Sequence, residues 1–207
     1  MRHQGHQVPP QSVTSGGAPP VNSGGASPAR PSSGPVDFDA AAAVAAQTVR
    51  DWPSDHHVRL AKQTSNLFRS RSTAAGGLDL SAFADVYRVD PGTRRAVVGG
   101  LTTYERLVAR TLPHGVAPMC VPQLRTITLG GAVTGLGIEA ASFRNGTPHE
   151  TVVAMDVLTG TGDVVRATPT GEHADLFYGF PNSYGTLGYA LRLEIEVEPT
   201  RDFVALT

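Results

Sequence analysis

Along LRLEIEVEP, residues 191–199, apolar and polar side chains alternate strictly. Leu191, Leu193, Ile195 and Val197 fall on one face, and Arg192, Glu194, Glu196 and Glu198 on the other. A period of two predicts a strand with one face on a core. Two further stretches predict antiparallel hairpins. DVYRVD and RRAVVGG flank a turn at Pro91 and Gly92, and the β-branched runs of VVAMDVLTGTGDVVRATP flank a turn over residues 160–163. Helical spacing occurs twice. Phe38, Ala41, Ala45, Val49 and Trp52 form one stripe behind Asp37, a residue suited to cap a helix, and Pro53 stops it. In TTYERLVARTLPHG, Tyr104, Leu107, Val108 and Thr111 share a face, Thr102 and Glu105 have the spacing of a capping box, and Pro113 and Gly115 end the helix. Hairpins interleaved with one or two helices predict an α+β domain rather than a βαβαβ array.

Composition narrows the function classes. Residues 1–35 hold seven Pro, six Gly and six Ser, so more than half of this segment resists packing and a disordered tail is expected; a Pro-rich ligand is disfavoured because no P-x-x-P repeat recurs. Seventeen Lys and Arg stand against 18 Asp and Glu, with no basic run longer than Arg94 and Arg95, which argues against nucleic acid as a partner. Cys120 is the only cysteine, excluding an internal disulfide and a zinc site built on paired thiolates. The longest purely apolar run covers residues 40–46, far short of the roughly 18 residues of a membrane span. The first residues lack the charged start and apolar stretch of a secretory signal, so a cytoplasmic protein is expected, with peripheral membrane contact left open. His56 and His57 have only Asp51 and Asp55 nearby and read as solvated loop residues rather than metal ligands.

The glycines raise the main question. TITLGGAVTGLGIEA, residues 126–140, places Gly135, Gly137 and Ala140 in the spacing G-x-G-x-x-A. A dinucleotide fingerprint needs a strand before the glycines, a helix opening at them and an acid about 20 residues on. Residues 125–129 read as that strand. The following ASFRNGTPHE breaks a helix at Asn145, Gly146 and Pro148, and the available acid, Asp156, falls in the middle of a hairpin strand, so a nicotinamide-binding Rossmann fold is disfavoured. Gly130, Gly131, Gly135, Gly137 and Gly146 then read either as tight turns or as backbone approaching a ligand. KQTSNLFRSRSTAAGG, residues 62–77, reads either as a solvated loop or as hydroxyls and amides around a pyrophosphate, with Arg69 and Arg71 as counter-charges. Gly185 and Gly188 directly precede the last strand, again where backbone can pass close to a cofactor.

Taken in order, SNLFR, TTYERL, PQLRTITLGGAVTGLGIEAASFRNG and DLFYGFPNSYGTLGYALRLEIEVEP resemble the FAD-binding domain of the FAD-linked oxidase family with a PCMH-type fold, and within it the Δ24-sterol reductase branch. The resemblance covers residues 58–203, after the tail of 1–35 and a helix and linker over 36–57. It implies two α+β subdomains holding an extended FAD. By motif, Ser65, Asn66, Leu67, Phe68 and Arg69 match the pyrophosphate loop; Thr128, Gly130, Gly131, Thr134, Gly135, Gly137, Ile138 and Glu139 match the glycine segment along the cofactor; Gly185, Thr186, Leu187 and Gly188 match the turn over the adenosine half. On this reading the backbone lies against FAD without a helix dipole at the phosphate. Residues 62–77 contain no histidine to tether the flavin, so FAD is expected to be non-covalent. Cys120 is out of register for a second tether and is expected to be a buried thiol, and His114 and His149 are expected away from the flavin.

Family members continue beyond the last strand into a cap domain that shapes the substrate pocket. Residues 204–207 reach only the point where it would begin, so the cap is expected to be largely absent, an exposed apolar face is expected where it would dock, and catalytic residues stay unassigned. The implied function is hydride transfer between FAD and a small apolar, sterol-like substrate, with NADPH as a candidate electron donor; the alternative is a flavin-binding module that needs a partner chain or cap for turnover.

Overall fold

The computed structural model describes residues 37–61 and 76–201. Its first element is helix α1, Phe38–Arg50, where the Asp37 carboxylate accepts the N–H groups of Asp39 and Ala40 at 3.1 and 3.3 Å. The first hairpin joins β1, Val86–Asp90, to β2, Arg95–Gly99. Then come α2, Tyr104–Thr111; β3, Val116–Pro118; α3, Leu129–Thr134; and α4, Ser142–Asn145. The second hairpin joins β4, Val152–Leu158, to β5, Val164–Ala167, and is followed by α5, Ala174–Gly179, and β6, Tyr189–Pro199. The sheet runs β1-β2-β6-β4-β5, its pairs antiparallel, with β3 on the far end of β6. This is the expected α+β class.

The alternation of β6 explains its central place. Leu193, Ile195 and Val197 are buried in a core with Tyr104 and Leu107 of α2, Leu129, Ala132 and Val133 of α3, and Phe177 and Phe180 at the end of the chain segment carrying α5. Leu191 departs from the sequence pattern. The β4–β6 register shifts between Asp156, facing Arg192, and Val157, facing Ala190, which leaves Leu191 as an extra residue. One added residue inverts the phase of a period-two pattern. Ala190 therefore joins Leu193 in the larger core, whereas Leu191 packs in a second cluster with Leu158, Leu78, Leu80, Phe83 and the alanine face of α1. A parallel bridge between Leu60 and Leu78 lies beside this smaller cluster, and the strands of the described residues make one sheet.

The polar face of β6 is also partly covered. The Arg192 guanidinium lies 3.7 Å from the centre of the Phe38 ring, and its Nε donates to Asp156 Oδ2 at 2.5 Å. Asp156 is 5% exposed and also pairs with Arg166 at 3.4 Å, so its buried charge is compensated on two sides.

The capping residue of α2 is Thr103, not Thr102. Thr103 is extended and its hydroxyl accepts the Arg106 N–H at 3.3 Å, while Thr102 is fully buried with its hydroxyl donating to the Asp85 carbonyl at 2.9 Å. Glu105, the other half of the expected capping box, pairs with Arg125 at 3.1 Å. Hydrogen bonding to Asp85, just before β1, draws Thr102 inward, and the helix starts one residue later.

Candidate functional site

A cleft of about 130 Å³, partly open to solvent, lies where α3, the end of β2 and the start of β6 meet the segments around Leu60 and Leu80. It is smaller than the roughly 300–1,000 Å³ of whole small-molecule sites.

Its floor is backbone. The Gly130 N–H donates to the Gly100 carbonyl at 2.9 Å, and a Cβ at position 130 would stand 2.8 Å from that oxygen, closer than real side chains come. Gly130 is thus required by the protein's own chain crossing, and Gly100 and Gly131 extend the same surface. Thr128 caps α3, its hydroxyl accepting the Gly131 N–H at 3.3 Å, and Thr134 Oγ1 donates to the Gly130 carbonyl at 2.8 Å. The expected strand over residues 125–129 is absent here: Arg125 and Thr126 form a turn, Thr128 makes a single bridge to Thr103, and a six-residue helix opens at Leu129. Gly130 and Gly131 thus lie within a helix the sequence did not announce, while none opens at Gly135 and Gly137. Extended Thr128 supplies the cap that the two glycines, poor helix formers, do not compensate for by propensity.

The walls differ in chemistry. Leu60, Leu80 and Leu101 supply one apolar side. Tyr184, Gly185, Tyr189 and Ala190 supply the other. Tyr189 Oη donates to the Val58 carbonyl at 3.1 Å, and burial pushes its phenol pKa up. Tyr184 donates its N–H to the Thr134 carbonyl at 3.1 Å and its Oη to the Gly135 carbonyl at 3.4 Å.

Of the residues expected to line a cofactor, Thr128, Gly130, Gly131, Thr134 and Gly185 meet at this cleft. Gly135, Gly137, Ile138 and Glu139 continue past the C-terminus of α3 instead: Gly135 caps the helix, the Gly137 N–H donates to the Ala132 carbonyl at 2.9 Å, Ile138 is exposed, and the Glu139 N–H donates to Ser142 Oγ at 3.0 Å. Thr186 and Leu187 are exposed on the turn before β6. Gly188 has φ of 127°, and a Cβ there would overlap the Leu158 carbonyl, so strand entry accounts for this glycine. Ser65, Asn66, Leu67, Phe68 and Arg69 lie outside the described residues, as does Arg71. Sequence reasoning missed Leu60, Leu80, Gly100, Leu101, Tyr184, Tyr189 and Ala190. The pair Gly99 and Gly100, ending a hairpin strand, was the one available local signal among them.

Other candidate residues lie apart from the cleft. Cys120 is buried and donates its thiol to the Gly146 carbonyl at 2.8 Å; burial raises its pKa. His149 Nδ1 lies 2.7 Å from the Thr147 hydroxyl, and His114 closes the 3-10 turn after α2. His56 pairs with Asp55 at 2.8 Å on the surface. Among the described residues, no group of three or more His, Cys, Asp or Glu side chains is arranged to hold a metal ion.

The described lining residues carry no charged side chain. Backbone, two threonine hydroxyls, leucines and tyrosines fit a flat, largely apolar ring of a dinucleotide. They offer no counter-charge for its pyrophosphate, the part for which Arg69 and Arg71 are the sequence candidates.

Comparison with known proteins agrees with this chemistry. The family model described as FAD binding domain matches residues 41–168, from within α1 to the end of β5. The chain is 35% identical over 130 residues to a Delta(24)-sterol reductase of Pisum sativum, covering 63% of this chain and 23% of that protein. It is 31% identical over 144 residues to the decaprenylphosphoryl-beta-D-ribose oxidase of Mycolicibacterium smegmatis, covering 68% and 31%. It is 29% identical over 138 residues to cytokinin dehydrogenase 9 of rice, Oryza sativa, covering 65% and 26%. The matched part of the chain thus spans only 23% to 31% of the length of these relatives.

Proposed function

The chain belongs to the PCMH-type FAD binding domain family, and from that premise we propose that it binds FAD non-covalently and serves hydride transfer between the flavin and a small apolar, sterol-like substrate. The observation that carries this reading is the cleft itself, a glycine floor between leucine and tyrosine walls, built largely within the matched segment. When bound, FAD supplies two-electron chemistry at its ring system. The protein's part is to let backbone lie flat against the cofactor at Gly100, Gly130 and Gly131, and to exclude water with Leu60, Leu80, Leu101 and Tyr189. In this proposal Ser65 to Arg69 hold the pyrophosphate, as the motif resemblance implies, and NADPH is the electron donor. No helix among the described residues is long and apolar enough to cross a membrane; the proposed setting is the cytoplasm, with peripheral contact to membranes where an apolar substrate resides.

A second reading is favoured by the surface. Ile138 is 76% exposed and Phe143 is 91% exposed, with Leu124, Leu136, Tyr178 and Leu187 also uncovered. Exposed apolar groups of this size suit a module completed by a cap or a partner chain before it turns over.

The visible spectrum of the purified chain, taken with added FAD and before and after acid precipitation, tests the main proposal. Flavin bands that appear on the protein and move to the acid supernatant are expected. Bands retained in the pellet would contradict non-covalent binding, and no bands on the protein would contradict the cofactor assignment. Turnover of NADPH by the flavin-loaded chain alone separates the enzyme from the module.

A further inference from the structure

Tyr184 combines features that a surface tyrosine does not need. It is 62% exposed, yet it forms part of the cleft wall. Its backbone has φ of 50°, a left-handed conformation that suits Gly or Asn far better than an aromatic residue. The hydrogen bond from its N–H to the Thr134 carbonyl holds the backbone there, with only a long contact of 3.4 Å from its Oη to the Gly135 carbonyl, directly before Gly185 with φ of 86°. Strain of this kind, at a cleft, is a pointer to function. On the other side stand Leu60, Leu80 and Leu101, with the backbone of Gly130 and Gly131 between, and no charged side chain lines the space among the described residues.

We propose that Tyr184 is the stacking face for a planar heteroaromatic ring of FAD, the ring entering between the tyrosine and the leucine wall above the glycine floor. This rests on the FAD reading above and goes beyond it by assigning a part of the cofactor to the cleft and a positioning residue to that part. The chemistry selects a ring over the pyrophosphate because the described lining of the cleft is apolar and uncharged, and aromatic stacking needs only a π-face and excluded water. FAD carries two such rings, and separate probes distinguish them: FMN presents the isoalloxazine and ADP presents the adenine.

The test uses the full chain and the variants Tyr184→Asn and Tyr184→Phe, with calorimetric titration of FAD, FMN and ADP and a thermal melt of each unliganded protein. Asn accepts the left-handed backbone, so Y184N is expected to melt at or above the wild-type temperature while binding FAD about 10-fold more weakly, the scale of one lost ring stack. Y184F is expected to bind as the wild type does. The smaller probe whose affinity falls in Y184N identifies the ring. Unchanged FAD affinity in Y184N overturns the proposal while leaving the FAD reading intact. So does equal weakening in Y184F, which would assign the effect to the hydroxyl, and so does loss of FAD affinity with no change for either smaller probe. Failure of the wild type to bind FAD overturns the reading beneath it and this proposal together.

Discussion

Replacing Gly130 by alanine sets two known effects against each other. In the first turn of α3, alanine gains up to about 1 kcal/mol over glycine from helix propensity. Against this, the new Cβ would stand 2.8 Å from the Gly100 oxygen and 3.4 Å from the Gly100 Cα and carbonyl carbon. Restoring an ordinary contact of 3.4 Å requires the two segments to part by about 0.6 Å, the difference between those distances. The Gly130 to Gly100 hydrogen bond would then lengthen from 2.9 Å toward the limit of a useful bond. Overpacking of rigid backbone costs about 1–3 kcal/mol, and the weakened bond about 1 kcal/mol more. The net expectation is a loss of about 2 kcal/mol, or about 4–8 °C in Tm for a domain of this size. Circular dichroism melts of the unliganded chain measure it, with Gly160→Ala as control, since a Cβ there meets nothing within 4 Å and should change stability by less than about 1 kcal/mol. A G130A protein melting at or above the wild type would refute the reasoning, because propensity alone would then outweigh the chain crossing.

Thr103→Ala should cost about 1 kcal/mol in denaturant unfolding by removing the α2 cap, whereas Glu105→Ala should be nearly neutral because its pairing with Arg125 is exposed; equal losses would restore the capping box. Asp156→Asn should cost about 3 kcal/mol, since it breaks a carboxylate 5% exposed between Arg192 and Arg166. The lower end of the usual range applies because Arg192 keeps Phe38 and some contact with water, and an unchanged denaturant midpoint would refute it. Cys120 has a raised thiol pKa because burial disfavours the thiolate. Its contribution is fully present below the unfolded-state value of about 8.5. Above that pH the unfolded chain releases a proton that the folded chain still holds, so stability falls as pH rises until the folded value is passed. Cys120→Ala should therefore flatten the alkaline limb of a stability profile, and an identical limb in both proteins would count against the assignment.

Each element that was legible in the sequence is an amphipathic pattern contained in its own residues. Asp37 and the alanine stripe defined α1, the face of Tyr104, Leu107 and Thr111 defined α2, and alternation or β-branched runs around turns defined the two hairpins and β6. The resemblance in motif order added the FAD binding family, which the match over residues 41–168 shows. Five residues of the motifs also meet in the cleft. Helix α3 was not legible, because six residues with two glycines carry little intrinsic helical preference; a cap at Thr128 and contact with Gly100 hold it. Leu191 was assigned to the wrong core because strict alternation contains no sign of a bulge, which exists only against the register of β4.

The sequence by itself determined the two longer helices, the two hairpins and the last strand, the α+β class and the kind of cofactor to seek, since short-range periodicity and motif order need no partner to be read. Tertiary structure alone decided which side chains surround the cleft. Leu60 and Leu80, Gly100, Gly130 and Tyr184 are far apart in the chain, and they become neighbours only because hydrogen bonds such as Gly130 to Gly100 and Tyr184 to Thr134, together with burial of two apolar cores, make this approach of backbones favourable.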